Sequence, residues 1–317
     1  MSADYIPRLR QELLRAAATA PAHRRRARTV RALRPLAAAA AVALVALAVV
    51  LALPVDRGDE RPVDTAQTTY RVAGPVSERT AAILRERLAA AGIQDASVSV
   101  AAGGGLSIAA PDGARADLAA LMRPGRLAIY DWERSVLGPR GEPAPADEGV
   151  TGGADAGQSA ALTRAEAEAR AARVPGGRAV RAPGGWFALG GEPALTNADV
   201  ARARPARDPM LQEPIVAIDL TAAGQDAFST LTRELAHRGR KQAADGALAP
   251  EARQHLAFVL DGRLVAVPFI DPQAAPDGID GAVGTQIGGG LTPETARRTA
   301  ALLSAGPLPA GLTPTEG

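Results

Sequence analysis

The residue types of a hydrolytic relay are all present, but their spacing does not assemble one. No G-x-S-x-G turn presents a serine, and of the three histidines only His237 and His255 lie beyond the first 35 residues. His237 reads as a helix-end residue, where a charged or a neutral ring is tolerated, and His255 opens a strand as a packed or surface residue. No second histidine stands beside either ring, so a metal centre has no ligand set. The absence of cysteine removes thiolate nucleophiles, disulfides and cysteine-based zinc sites, and leaves the redox compartment open. Gly288-Gly289-Gly290 ahead of Thr292 resembles an anion cradle at a helix N-terminus. It lacks the lysine of a P-loop and the G-x-G-x-x-G of a dinucleotide fold, so the glycines read as a tight strand-to-helix turn. The expectation is a non-enzyme, with no catalytic, cofactor-binding or metal-ligating residues and no cofactor.

Charge organises the chain more than chemistry does. Residues 1–35 hold nine arginines against Asp4 and Glu12, a net of +7, and form a basic tail. Leu36 to Leu53 follows as 18 residues of Ala, Val and Leu alone, long enough at about 1.5 Å each to cross roughly 27 Å of hydrocarbon. Its nine Leu and Val give about −3 to −5 kcal/mol for insertion, and the positive flank holds the N-terminus in the cytoplasm. This predicts a single-pass transmembrane helix at 36–53, anchored in the cell membrane with the C-terminal part extracytoplasmic. A cleaved signal peptide fits less well, because the Ala46-x-Ala48 site lies inside the apolar run. Tyr5, Ile6, Leu9, Leu13 and Leu14 allow a short amphipathic helix on the inner membrane face.

Beyond the tail and span the balance is 27 basic against 32 acidic residues, so the high pI comes from the tail. Aromatics make up only 3% of the chain, too few for a base-stacking surface, and no nucleic acid is expected. Arg202, Arg204, Arg207, Arg233, Arg238, Arg240 and Lys241 read as solvated faces.

Hydrophobic periodicity places the elements. Residues 54–67 are a tether. The next segment, 68–134, reads as strand Thr68–Val72, a helix capped by Ser77, strands Ala96–Val100 and Leu106–Ala109, helix Ala114–Met122 and strand Gly125–Trp132. That βαββαβ order is ferredoxin-like. Residues 135–185, rich in Gly, Pro and Ala, read as a flexible linker, with a short solvated helix after the Thr163/Glu166 capping box. Trp186 and Phe187 mark the return of a core, and 186–317 forms the second subdomain.

In that subdomain Gln254–Ile270 (QHLAFVLDGRLVAVPFI) is a hairpin. Asp261-Gly262 suits a type I′ turn, pairing Leu260 with Arg263, Val259 with Leu264, Phe258 with Val265, Ala257 with Ala266 and Leu256 with Val267. Both faces are apolar, which predicts a central, two-sided position. Around it, Pro214–Leu220 is a strand and Thr221 caps a helix closed by Gly239. Ala282–Ile287 is a strand, and Thr292 caps a helix with Pro293 at its first position and Ala296, Ala300 and Leu303 buried. The fold class is α+β.

Four of these segments carry a family resemblance. PIVAIDLTAAGQDAFSTLTRELAHRG, HLAFVLDGRLVAVPFID, PDGIDGAVGTQIGGGLTPETA and LLSAGPLPAGL, in this order, resemble the head of the large extracytoplasmic domain of SecD, the bacterial protein-export component. The likeness runs from about Leu195 to Leu312. It is weaker over Thr68–Glu133, where RPGRLAIYDWE is similar to the end of the family's membrane-proximal part. The resemblance implies a SecD-head-like subdomain after the ferredoxin-like one, truncated after that domain. Its implied function is a membrane-anchored extracytoplasmic domain of the Sec pathway that binds translocated polypeptide and assists export without proton-coupling spans of its own. The implied partners are unfolded or emerging secretory polypeptide, Sec translocon subunits and membrane lipid. The alternative is a single-pass sensory or regulatory protein that uses the same fold for an external ligand.

Overall fold

The computed structural model describes residues 67–73, 76–100, 105–144, 162–209, 211–248, 251–309 and 311–316. The basic tail, the apolar run at 36–53 and nearly all of the tether lie outside the described residues. Among the described residues no helix is long and apolar enough to cross a membrane. Those residues all fall in one unit, Asp64–Gly317.

The chain begins with β1 (Gln67–Ala73), α1 (Glu78–Ala90), β2 (Ser97–Val100), β3 (Leu106–Pro111), α2 (Arg115–Leu121) and β4 (Leu127–Asp131). It continues through the short α3 (Trp132–Ser135), α4 (Arg164–Ala171), β5 (Arg178–Ala182), β6 (Gly185–Leu189), β7 (Leu195–Thr196), β8 (Val200–Arg207) and β9 (Pro214–Leu220). The last part holds α5 (Ala222–Ala244), β10 (Gln254–Leu260), β11 (Arg263–Ala266), β12 (Phe269–Ile270), β13 (Thr285–Ile287), α6 (Pro293–Ser304) and β14 (Thr313–Glu316). The α+β class is as expected.

The first six elements keep the βαββαβ order, but the sixth leaves the sheet it was expected to complete. β4 lies between β10 and β7 in a larger sheet of order β6-β5-β11-β10-β4-β7. Its place beside β1 is taken by β14, giving an antiparallel sheet of order β14-β1-β3-β2. Burial explains the exchange. Leu127, Ala128, Ile129 and Tyr130 are all buried, which requires a strand covered on both faces, whereas the edge beside β1 accepts the short polar TPTE. Two sheet edges are blunted by side chains: Arg85 donates to the carbonyl of Val98 on β2 at 2.9 and 3.1 Å. Ser304 donates to Ala203 O of β8 at 2.6 Å and accepts from its amide at 3.0 Å.

The hairpin forms at the expected residues. Asp261 (φ 51°) and Gly262 (φ 70°) both adopt the left-handed conformation that a type I′ turn requires. The Asp261 carboxylate accepts from Arg126 N at 2.8 Å and its amide donates to Arg126 O at 2.9 Å, so the turn also fixes the start of β4. Leu260↔Arg263 and Val259↔Leu264 pair as expected, but a bulge then sets Phe258 opposite Ala266 rather than Val265. Val265 is pushed outward, and Val267 turns to the face of Ala257 and Val259 instead of that of Leu256 and Phe258. The two-sided position holds. Leu256, Phe258 and Leu260 pack with Phe228, Leu235, Ala300 and Leu303, while Ala257, Val259 and Leu264 pack with Tyr130, Trp132, Val180 and Phe187.

Three other expectations change. α5 does not stop at Gly239 but runs to Ala244, and Gly239 is buried where a Cβ would collide with the backbone oxygen of Ala252. His237 is therefore mid-helix and exposed. The stretch expected as linker contains α4, with the Thr163/Glu166 capping box in place, and β5, which pairs with β6. Ala167 and Ala171 are buried, so α4 packs one narrow face while most of its other residues stay exposed, as expected of a solvated helix. Of the strand expected over 282–287 only β13 forms, after a 3-10 turn at Gly281–Val283.

α6 joins the two layers. Ala296, Ala300 and Leu303 enter the core around Phe258, while Ala301 enters the core of Tyr70, Leu84, Ile108 and Leu118. Arg87 of α1 lies at this junction, fully buried. It donates to Leu121 O at 2.7 Å, Arg123 O at 2.5 Å, Pro124 O at 2.8 Å and Gly306 O at 2.6 Å. Desolvation pulls this guanidinium down to about 10, partly countered by the field of Asp261, so it remains a cation at neutral pH. One side chain thus ties the chain leaving the smaller sheet to the chain returning to it.

Candidate functional site

The histidines do not build chemistry. The His255 amide donates to both Glu133 oxygens at 2.9 and 3.0 Å, and its ring Nδ1 lies 2.7 Å from Glu133 Oε1. No serine hydroxyl is hydrogen-bonded to either residue among the described residues. Arg238, expected on a solvated face, forms a bidentate pair with Asp131 at 2.8 and 3.0 Å and also donates to Gln254. This network fastens α5 to the end of β4 and the start of β10. Among the described residues no group of three or more His, Asp or Glu side chains is placed to hold a metal ion.

The feature that stands out is a groove of about 800 Å³ where β11, β12, the β8–β9 loop and the glycine turn meet. Three of the chain's exposed large apolar side chains line it: Leu211 at 70% exposure, Phe269 at 39% and Val265 at 36%. Each is set there by a local device. Val265 is the residue extruded by the β10–β11 bulge. Phe269 pairs on β10 opposite His255, and the Arg253 guanidinium stacks on its ring at 4.3 Å. Leu211 sits on a tight loop whose ends are tied by Asp208 N to Glu213 O at 2.8 Å. Its amide donates to Asp208 Oδ1 at 2.8 Å, and Gln212 is left-handed at φ 57°.

Gly288 to Gly290 form the opposite wall. Gly289 and Gly290 have φ of 89° and 71°, and a Cβ on Gly288 would press on Ile215 at 3.1 Å. The glycines therefore serve the turn, as expected, and also keep the wall low. Thr292 caps α6 beyond them with Pro293 in its first turn. Ile215 and Gln286 separate this groove from a smaller depression of about 480 Å³ that carries Arg204, Arg207 and Asp219. Sequence reasoning missed the groove, because its walls come from four separate segments and Val265 was expected inside.

Residues 173–310 match the family model of the SecDF P1 head subdomain. Two solved structures are similar at 20% identity. One is SecDF in its super-membrane-facing form (TM-score 0.48, covering 79% of this chain and 29% of that one). The other is the membrane component SecDF that enhances protein export (TM-score 0.44, covering 80% of this chain and 99% of that one). The chain thus spans under a third of the length of the first. No curated protein matches the chain. The stretch that is similar to the SecDF P1 head subdomain, residues 173–310, contains every described residue lining the groove.

Proposed function

We propose that the chain is a non-catalytic binding module of protein export, and that the groove holds an extended apolar stretch of unfolded polypeptide. The observation that carries this reading is that Leu211, Val265 and Phe269, all exposed, line one groove. Exposed apolar patches of this kind mark contact sites, and an extended chain can offer side chains to such a groove without a folded interface of its own. β11 pairs with β5 at the single position Arg263↔Arg181, so a chain could also lie alongside Leu264–Ala266. The match of residues 173–310 to the SecDF P1 head subdomain supports export as the setting. The apolar run at Leu36–Leu53 supports a single membrane anchor with the groove outside the cytoplasm, beside the translocon and the lipid surface. No nucleotide, metal or nucleic acid is called for.

Phe269→Ala tests this in the full-length chain, in non-ionic detergent, against a permanently unfolded polypeptide. Affinity read by fluorescence anisotropy is expected to fall about tenfold, the scale of a central aromatic contact. The unfolding midpoint should barely move, because the ring is part-exposed. Unchanged affinity would remove the groove as the site, and no binding by the parent chain would favour the sensory alternative.

A further inference from the structure

The groove's lining is electrostatically one-sided. Among the described residues that line it, Asp208 and Glu213 are the only charged ones, and none is Arg or Lys. The Asp208 carboxylate is built into the loop, accepting from Leu211 N at 2.8 Å and from Gln286 Nε2 at 3.2 Å, so its charge is fixed at the rim. Glu213 is exposed and meets no cation among the described residues. The nearest arginines in sequence, Arg204 and Arg207, line the neighbouring depression beyond Ile215 and Gln286, and Arg207 donates to Gln212 O at 2.9 Å. Arg253 approaches from outside the lining, against the Phe269 ring, and pairs with Asp271 at 3.8 Å.

We infer that the groove selects among unfolded segments by charge, taking apolar stretches flanked by Lys or Arg and disfavouring those flanked by Asp or Glu. This rests on the reading of the groove as a polypeptide site and adds a specificity to it. An apolar bed supplies affinity without sequence preference, and fixed carboxylates at its rim discriminate against like charge. Because Glu213 is exposed to solvent, the discrimination depends on ionic strength and fades once the screening length falls to a few ångströms.

The test uses three peptides with one apolar core, flanked by Lys, Gln or Glu, titrated against the full-length chain in non-ionic detergent by fluorescence anisotropy. At low salt the Lys-flanked peptide should bind about tenfold more tightly than the Glu-flanked one, with the Gln-flanked peptide between them. The gap should close toward unity near 1 M salt, and Glu213→Gln should shrink it at low salt, with the Lys-flanked peptide losing more affinity than the Gln-flanked one. Equal affinities, a reversed order, or a gap untouched by salt or by Glu213→Gln would overturn the charge selection while leaving the groove as the site. Failure of all three peptides to bind would overturn both. Salt dependence of the parent chain is decisive by itself if the variant misfolds.

Discussion

Phe258→Ala is expected to lower the stability of the protein by about 3–5 kcal/mol, the cost of emptying a fully enclosed aromatic position. Phe258 is 1% exposed and stands on β10 among Ile129, Phe228 and Leu303, side chains drawn from a second strand and two helices. The cavity has little freedom to collapse, because β10 is held by β4 on one side and β11 on the other. Against a total of about 5–15 kcal/mol for a domain, the urea midpoint should drop by on the order of 1 M. A midpoint within error of the parent chain would contradict the central placement of β10.

Arg87→Ala should be of similar size, about 3–5 kcal/mol, through a different cause. The buried guanidinium serves four backbone carbonyls with no carboxylate in direct contact. Truncation leaves Leu121, Arg123, Pro124 and Gly306 with buried acceptors facing a void, and each lost partner carries a desolvation penalty. Three of these carbonyls belong to the chain running toward β4 and one to the chain returning toward β14, so the same change should loosen the junction. Hydrogen exchange should rise at residues 121–126 and 306–308 before it rises in β10. If Arg87→Ala unfolds at the parent midpoint, Arg87 is not the fastening that its contacts imply.

The hairpin was legible because its signals are local. Asp261-Gly262 has few conformational choices, and alternation without a polar face specifies two-sided burial. The caps at Ser77, Thr163, Thr221 and Thr292 were legible for the same reason. What could not be read was set by distant partners. The bulge beside Phe258 leaves no mark in an apolar run, so Val265 was given the wrong surroundings. The exchange of β4 for β14 depends on which sheet offers cover on both faces, a property of the assembled layers. Gly239 looked like a helix stop, and only the approach of Ala252 shows why glycine is needed inside α5. β5 was hidden by a composition of Arg and Ala between glycines, where Val180 alone is a large apolar residue. The groove combines these effects: one wall is an extruded valine, another is a turn whose glycines were read only as a turn.

Hydrogen–deuterium exchange on the full-length chain, with and without a permanently unfolded apolar polypeptide, tests the central claim most directly. The account predicts new protection at residues 208–213, 264–269 and 286–290, and little change along β2, β14 or the exposed face of α5. Protection at those other surfaces with none around Val265 and Phe269 would contradict it.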